Sequence, residues 1–280
     1  MSQQLNTQAE LVVRGWRGGQ WLLAVSLVLA LGLAAGRAFG GQVPTWVLLW
    51  ALSGLLGTIS VGVAWPQTGV FARPVLGFRT SAPLLALTFD DGPHPVNTPQ
   101  ILDLLDRYGH RATFFVIGAK AEQQQDLLAE IVRRGHELGN HSWHHRPWTP
   151  ALPAAVLLQE LQSASHLLKS VAGHVPRWFR PPMGLVSPPV ALAAERAGLD
   201  LVTWTATARD GVASAQSHSG FARLLRSLRP GSILVLHDGV PGRSGRPHAV
   251  LAILPQLLSK MQERGLRSVT LSELIPSQQR

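Results

Sequence analysis

The chain of 280 residues has no cysteine. This absence excludes disulfide bonds, thiolate metal sites and a cysteine nucleophile, although it leaves the cellular compartment open. Charged side chains are also missing between Arg17 and Arg37, and again between Arg37 and Arg73. Both uncharged stretches are long enough to cross a bilayer, which requires about 20 mainly apolar residues in a helix.

The uncharged stretches predict a transmembrane helical hairpin, with helices at residues 21–36 and 43–65 after an N-terminal tail of residues 1–20. Tryptophans lie near the ends of the second stretch, as expected for side chains at the level of the lipid headgroups. The stretch has no polar stripe, which argues against the core helix of a soluble protein. A secretory signal peptide with a weak cleavage site is the alternative for the first stretch. Residues 66–82 are expected to form a linker to a domain at 83–280.

Short apolar runs alternate with helical patterns in this domain, which predicts an α/β fold with a parallel sheet, either a barrel or a doubly wound sheet. In both architectures the functional residues lie at the carboxyl ends of the strands. Thr98 is expected to cap the first helix. The predicted strands are residues 84–89, 112–117, 178–180, 200–204 and 232–237, and the predicted helices are residues 98–109, 123–134, 154–172, 189–197, 221–228 and 249–264.

Four polar clusters occur where strands of this kind are expected to end. Because the carboxyl ends of parallel strands meet at one edge of a sheet, we expect these clusters to form a common site. The clusters are Asp90-Asp91, residues 140–145, Arg180 with the two prolines after it, and His237-Asp238.

His141 and His145 are four residues apart, so on a helical turn they would share one face and could bind one metal ion. Such a pair is weak evidence alone, but an added carboxylate makes a three-ligand site that polarises a substrate oxygen and activates water. If Asp91 is that ligand, Asp90 remains free to accept a proton from the water. His237 could supply the proton that a departing amine needs, although alone it could equally be a hydrogen-bonded core histidine.

The motifs TFDDGP, HSWHH, FRPP and LVLHD occur in this order, with Asp210 before the last of them. Together they resemble the NodB-type polysaccharide deacetylases, carbohydrate esterase family four, over about residues 83–275. The resemblance implies a distorted (β/α) barrel with fewer strands than the usual eight. It also implies metal-dependent removal of N- or O-acetyl groups from sugars.

The resemblance implies a role for each motif residue outside the metal site. Asp90 would be the catalytic base, oriented by Arg180, and His237 would be the general acid. Asp210 would hydrogen-bond His237 and keep its pKa high, because an adjacent anion favours the charged imidazolium. The backbone N–H of Met183 would stabilise the oxyanion together with the metal.

The resemblance also implies that Asp91, His141 and His145 bind one divalent ion, for which we expect zinc before cobalt, nickel, manganese or iron. Met183 stands where the family often has tyrosine, and Gly211 where it often has tryptophan. We expect catalysis to persist and the groove wall to be more open. The histidines outside the motifs are expected at the surface or in loops; they are His110, His136, His174, His218 and His248.

The sequence therefore predicts a membrane-anchored, metal-dependent hydrolase that removes acetyl groups, chiefly N-acetyl, from a cell-envelope polysaccharide, peptidoglycan or a lipid-linked sugar. One alternative is a non-haem iron enzyme, since two histidines and one carboxylate also suit such a site. Another is a catalytically silent glycan-binding module. The net charge of +9 is spread along the chain, so no nucleic-acid partner is expected, and the oligomeric state is left open.

The expected membrane topology contains a conflict. Arg14 and Arg17 favour a cytoplasmic amino terminus, and a hairpin with two spans would then return the domain to the cytoplasm. An envelope substrate requires the opposite face. We predict a domain on the outer face of the cytoplasmic (inner) membrane.

Overall fold

The structure is a computed structural model that describes residues 12–15, 18–208, 210, 218–239 and 249–275. At its centre, a curled parallel β-sheet is flanked by helices. The strands are β1 (Val12–Arg14), β2 (Val75–Phe78), β3 (Leu84–Gly92), β4 (Ala112–Val116), β5 (Glu137–Asn140), β6 (Trp178–Phe179), β7 (Asp200–Leu201), β8 (Ala206–Thr207), β9 (Ile233–His237) and β10 (Arg267–Ser268). The helices are α1 (Gly19–Ala38), α2 (Thr45–Ala64), α3 (Asn97–Arg107), α4 (Gly118–Glu122), α5 (Gln125–Arg133), α6 (Ala154–Ala172), α7 (Pro188–Arg196), α8 (His218–Arg226), α9 (Ala249–Glu263) and α10 (Leu271–Leu274).

The large sheet has the strand order β7-β6-β5-β4-β3-β9-β8, and β10 also pairs with β3. All of these pairings are parallel. The edge strands β7 and β8 follow one another directly in the chain, so the sheet curls until its two edges approach. The predicted parallel α/β sheet is therefore confirmed.

The central strand β3 shows how the sheet divides the core from the site. Alternate residues of a strand point to opposite faces. Leu85, Leu87 and Phe89 are fully buried in the core between the sheet and the surrounding helices. The intervening residues, Thr88 and Asp90, are also buried but face the inside of the curl. The Asp90 carboxylate therefore lies on the inner face of the curled sheet.

The structure confirms the predicted helix at 154–172 without change and shifts other boundaries by a few residues. The predicted helix at 123–134 is instead two helices, α4 and α5, with a turn at Gln123 and Gln124. Thr98 does not cap α3, which begins at Asn97. Its hydroxyl instead donates a hydrogen bond to another buried side chain.

Two strands lie in segments that were expected to contain only a tail and a linker. β1 pairs antiparallel with β2, and Val75 of β2 is 1% exposed. β2 also makes single bridge pairs with Val202, just after β7, and with Ser232, just before β9. These short strands lack the apolar alternation that predicts longer ones, and their pairing depends on residues far away in the sequence.

The helices α1 and α2 pack against each other, and the Ser26 and Thr58 hydroxyls lie 3.3 Å apart between them. Both helices have 20 residues, with mean hydropathy of 1.8 and 2.0, so they are long and apolar enough to cross a membrane. Most of their apolar side chains are exposed, including Trp21 at 75% and Trp50 at 74%.

Candidate active site

β3 ends in two aspartates whose side chains leave the strand in different directions. Asp90 pairs in register with Phe115 of β4 and His237 of β9 and is 2% exposed. The register then shifts between Asp90 and Gly92, and Asp91 has a φ of 70°. Such a backbone is uncommon for a residue with a β-carbon. It turns the Asp91 carboxylate away from the strand, towards the loop that follows β5.

His141 and His145 lie in that loop, which is not helical, so the expected helical turn is wrong. Positive φ angles at Ser142 (63°) and His145 (52°) fold the loop back on itself. The Asn140 side chain accepts a hydrogen bond from the Ser142 amide, and the Ser142 hydroxyl accepts one from the His145 amide. The two imidazole centroids are consequently 4.8 Å apart.

The ligand atoms of Asp91, His141 and His145 all lie within 4.8 Å of one another, as metal binding requires. Asp91 Oδ1 lies 3.3 Å from His141 Nε2 and 3.1 Å from His145 Nε2 but has no hydrogen-bond donor. His141 Nδ1 lies 2.6 Å from the backbone oxygen of Arg180 and donates to it, which orients Nε2 towards Asp91.

The protonation of this cluster also fits a cation. Burial and the charge of His141 lower the pKa of His145 to about 4, so this imidazole is neutral near pH 7. Burial raises the pKa of Asp91, but the neighbouring imidazoles outweigh burial and keep it below its ordinary value. A carboxylate oxygen and two imidazole nitrogens thus converge on one point. The residues therefore fit a divalent ion such as zinc.

Asp90 is held by a fully buried arginine. Arg180 Nη1 donates hydrogen bonds to Asp90 Oδ1 at 2.6 Å and to the Thr88 hydroxyl at 2.7 Å. Arg180 Nη2 donates to the backbone oxygen of Thr203 at 3.0 Å, and the guanidinium lies 4.1 Å from the ring centroid of Phe115. A buried charge pair with such contacts fixes the position of the Asp90 carboxylate.

His237 ends β9 opposite Asp90 and is bonded twice by Asp210. The His237 backbone N–H donates to Asp210 Oδ2 at 3.0 Å, and its Nδ1 lies 2.9 Å from Asp210 Oδ1. Burial lowers the pKa of His237, but the hydrogen bond and charge of Asp210 and the charges of Asp90 and Asp91 raise it to about 9. The imidazole therefore carries a proton near pH 7.

Lys120 joins the end of β3 to the loop after β9, and it was missed by sequence reasoning. Its Nζ donates hydrogen bonds of 2.7 Å to the backbone oxygens of Asp91 and Gly239. Asp238 lies beside this bridge with no exposed surface, and burial raises its pKa to about 7. A β-carbon at Gly92 would approach the Asp238 carboxylate to 2.3 Å, so only glycine fits there. No sequence motif marked Lys120, because its two partners are backbone atoms.

Comparisons with known proteins agree with this arrangement. Residues 78–202 match the family described as polysaccharide deacetylase. The chain is 35% identical over 198 residues to a peptidoglycan-N-acetylglucosamine deacetylase of Bacillus cereus, covering 69% of this chain and 88% of the relative. The chain belongs to the polysaccharide deacetylase family. It is thus a hydrolase of the NodB-type deacetylase class, carbohydrate esterase family four, as the motifs predicted.

Two further relatives support the family membership and the fold of this chain. The chain is 36% identical over 206 residues to a chitooligosaccharide deacetylase of Sinorhizobium fredii, covering 70% of this chain and 93% of the relative. It also resembles a family 4 acetyl xylan esterase from Clostridium thermocellum, solved in complex with a cobalt ion, with a TM-score of 0.61 and 33% identity. That likeness covers 68% of this deacetylase-family chain and 89% of the esterase.

The other predicted residues of this deacetylase-family chain have mixed outcomes. Met183 has a φ of 58° and a side chain that is 60% exposed at the site. Gly211 lies outside the described residues. His110 and His136 lie in loops, as one of the two expectations had it, but they are not at the surface. They are only 6% and 5% exposed, and their Nδ1 atoms accept hydrogen bonds from buried backbone amides. His174 is exposed as expected, and His248 and the side chain of His218 lie outside what the structure describes.

Proposed function

We propose that this chain removes acetyl groups, chiefly N-acetyl, from a sugar of the cell envelope, with the help of one divalent metal ion. The observation that carries the proposal is the convergence of Asp91, His141 and His145 beside two separately tuned groups, Asp90 and His237. The family membership supports acetylated glycans as the substrate class. Envelope polysaccharide, peptidoglycan and lipid-linked sugars all belong to it.

Asp91, His141 and His145 would hold the ion, and we propose zinc. When bound, the ion polarises the acetyl carbonyl and lowers the pKa of water, which supplies a nucleophile near neutral pH. The Asp90 carboxylate accepts the proton of the attacking water. Arg180 holds this carboxylate in place, so that the base is positioned before substrate binds.

The His237 imidazolium donates a proton to the departing sugar nitrogen. Asp210 keeps that proton on the ring near pH 7, and the hydrogen bond to Nδ1 leaves Nε2–H free to face the substrate. The backbone N–H of Met183 would donate to the oxygen that gains negative charge as the tetrahedral intermediate forms. Base and acid thus act from adjacent strands, because Asp90 and His237 pair in register.

The test is acetate release by the purified full chain from acetylated chitooligosaccharide and peptidoglycan, before and after chelation and after return of zinc. We expect activity that is lost with the chelator, restored by the metal, and absent in Asp90→Asn. Metal content measured on the same samples should fall to near zero in His141→Ala. Acetate release that is unaffected by chelation, or absent from every glycan, would contradict the proposal.

The alternatives from the sequence receive less support from the geometry. A non-haem iron enzyme would use the same three ligands but has no evident use for the buried Asp90–Arg180 pair or for a protonated His237. A silent glycan-binding module would not need a base and an acid paired in register on adjacent strands. The curl of the sheet likewise supports the distorted barrel that the motifs predicted, since consecutive strands form its two edges.

We also propose that α1 and α2 span the cytoplasmic (inner) membrane and that the domain lies on its outer face. The exposed apolar surface of both helices supports insertion in lipid. The contact of α1 with α2 supports a retained helix over a cleaved signal peptide. A reporter enzyme that works only outside the cytoplasm, fused after Arg280, should be active. A cytoplasm-only reporter should be inactive at the same position, and the reverse pattern would place the domain inside.

A further inference from the structure

The end of α2 contacts the loop that carries the oxyanion residue. The backbone N–H of Val186 donates a hydrogen bond to the backbone oxygen of Val63, in the last turn of α2, at 3.2 Å. Val186 lies three residues after Met183 and six after Arg180. The helix that we place in the membrane is therefore joined directly to a wall of the catalytic site.

A second contact attaches the chain after α2 to the same region. The Thr203 backbone N–H donates to the backbone oxygen of Val75 at 2.9 Å, and the Thr203 oxygen accepts from Arg180 at 3.0 Å. The segment between α2 and β2 is thus held at its start by Val186 and at its end by Thr203, a hydrogen-bond partner of Arg180. It cannot act as a free linker that lets the domain turn its site away from the membrane.

The last turn of α2 packs closely against the segment that follows the helix. Gly62 is the buried residue of this helix, and a β-carbon there would approach Val70 to 2.7 Å and Phe71 to 2.9 Å. A glycine is needed because Val70, itself 4% exposed, lies against the helix backbone. We call this contact of Gly62 with Val70 and Phe71 the seat of α2. The orientation of the hairpin relative to the domain thus depends on the seat.

These contacts limit the distance between the membrane and the site. Six residues of fully extended chain span about 21 Å, so Arg180 lies no farther than this from Val186. His141, a ligand, is hydrogen-bonded to the Arg180 backbone. The distance is shorter than the bilayer hydrocarbon core, which is about 30 Å thick. Two large apolar side chains, Trp65 just after α2 and Met183 at the site, are each 60% exposed.

We propose that the substrate is an acetylated sugar carried on a membrane lipid and deacetylated at the bilayer surface. This inference rests on the proposed deacetylase function and selects one of its substrate classes. A sugar linked to a lipid is presented at the headgroup level, where the contact between α2 and the loop after β6 holds the site. A glycan strand distant from the membrane would have to approach a site that lies close to the bilayer.

The experiment uses the full chain in phospholipid nanodiscs, loaded with zinc, and two esters of N-acetylglucosamine diphosphate. One ester carries a long polyprenyl chain and sits in the same bilayer, and the other carries a methyl group and is soluble. We expect kcat/KM for the polyprenyl ester to exceed that for the methyl ester at least tenfold. Equal values for the two esters would overturn the inference while leaving the deacetylase function intact.

Matched variants in α2 separate correct placement from simple anchoring. Gly62→Leu should displace the helix from its seat and lower the rate on the polyprenyl ester at least tenfold, while the rate on the methyl ester stays within twofold. Gly62→Ala adds only the β-carbon and should show a smaller loss. Gly54→Leu is the control, because nothing lies within 4 Å of that position, and both rates should stay unchanged.

The outcomes distinguish this inference from the proposed function. An equal loss of rate on both esters in Gly62→Leu would mean that the catalytic site itself was disturbed. No loss of rate on either ester would mean that the seat does not position the site relative to the membrane. Either outcome overturns the inference. Unchanged thermal unfolding of Gly62→Ala verifies that its fold is retained. Acetate release from neither ester nor from chitooligosaccharide would overturn the deacetylase function as well.

Discussion

The hydrogen bonds between Asp210 and His237 give a quantitative prediction. Asp210→Asn removes the negative charge beside the imidazolium, and its amide nitrogen cannot accept one of the two hydrogen bonds that the carboxylate accepts. A hydrogen bond to a charged group contributes about 1.5–3 kcal/mol, and 1.36 kcal/mol corresponds to one pKa unit. We therefore expect the pKa of His237 to fall from about 9 by roughly 1–2 units.

The sign of the effect on activity follows from the role of His237 as an acid. The protonated imidazole is the active form, so activity is lost as pH rises through the pKa. For a pKa that falls from about 9 to about 7.5, the protonated fraction at pH 8.5 drops from about three quarters to about one tenth. We expect kcat/KM at pH 8.5 to fall about eightfold for this shift, and about threefold if the pKa falls by only one unit, with a smaller loss near pH 6.5. A bound metal ion would lower the pKa in both proteins, so the difference between them is the quantity to measure.

The assay is a pH profile of kcat/KM from pH 5.5 to pH 10 on a soluble acetylated chitooligosaccharide. Asp200→Asn is the matched control, because Asp200 pairs with Arg177 at 2.9 Å on β7 and does not contact the site. Its profile should match that of the parent chain. An alkaline limb at the same pH in Asp210→Asn and in the parent would refute the assigned role of Asp210.

Three other substitutions test the buried contacts around the site. Arg180→Met leaves Asp90 buried without its partner and should cost about 3–5 kcal/mol of stability, with loss of most activity. Gly92→Ala places a β-carbon 2.3 Å from the Asp238 carboxylate, and overpacking of this kind costs about 1–3 kcal/mol, measured by thermal unfolding. Lys120→Met removes two hydrogen bonds to backbone oxygens and should weaken zinc binding at least tenfold, measured by titration against a competing chelator.

Each of these substitutions has a clear contrary result. Lys169→Met, on an exposed face of α6, is the control for the lysine and should leave zinc affinity unchanged. Zinc affinity equal to that of the parent in Lys120→Met would show that the lysine does not support the ligand loop. Parent-like unfolding of Gly92→Ala would show that the neighbouring carboxylate can move aside. Retained activity in Arg180→Met would show that the base needs no partner.

Much of the fold could be predicted because its signals are local. Apolar runs that end in charged motifs mark β3 and β9, and the two uncharged stretches correspond to α1 and α2 with shifts of only a few residues. The predicted helix at 154–172 was correct because a continuous apolar periodicity supports it over 19 residues. The strands β1, β2, β5, β8 and β10 were not predicted, since each has two to four residues and depends on a distant partner.

The sequence by itself determined which polar side chains follow the strands and in which order, because residue type and spacing are properties of the chain alone. Only the tertiary structure decided how they converge. The positive φ of Asp91, the nonhelical loop that brings His141 to His145, and the bridge made by Lys120 all depend on backbone contacts between distant segments. The placement of α2 beside the catalytic loop is of the same kind, since a hydrogen bond between backbone atoms leaves no trace in residue type.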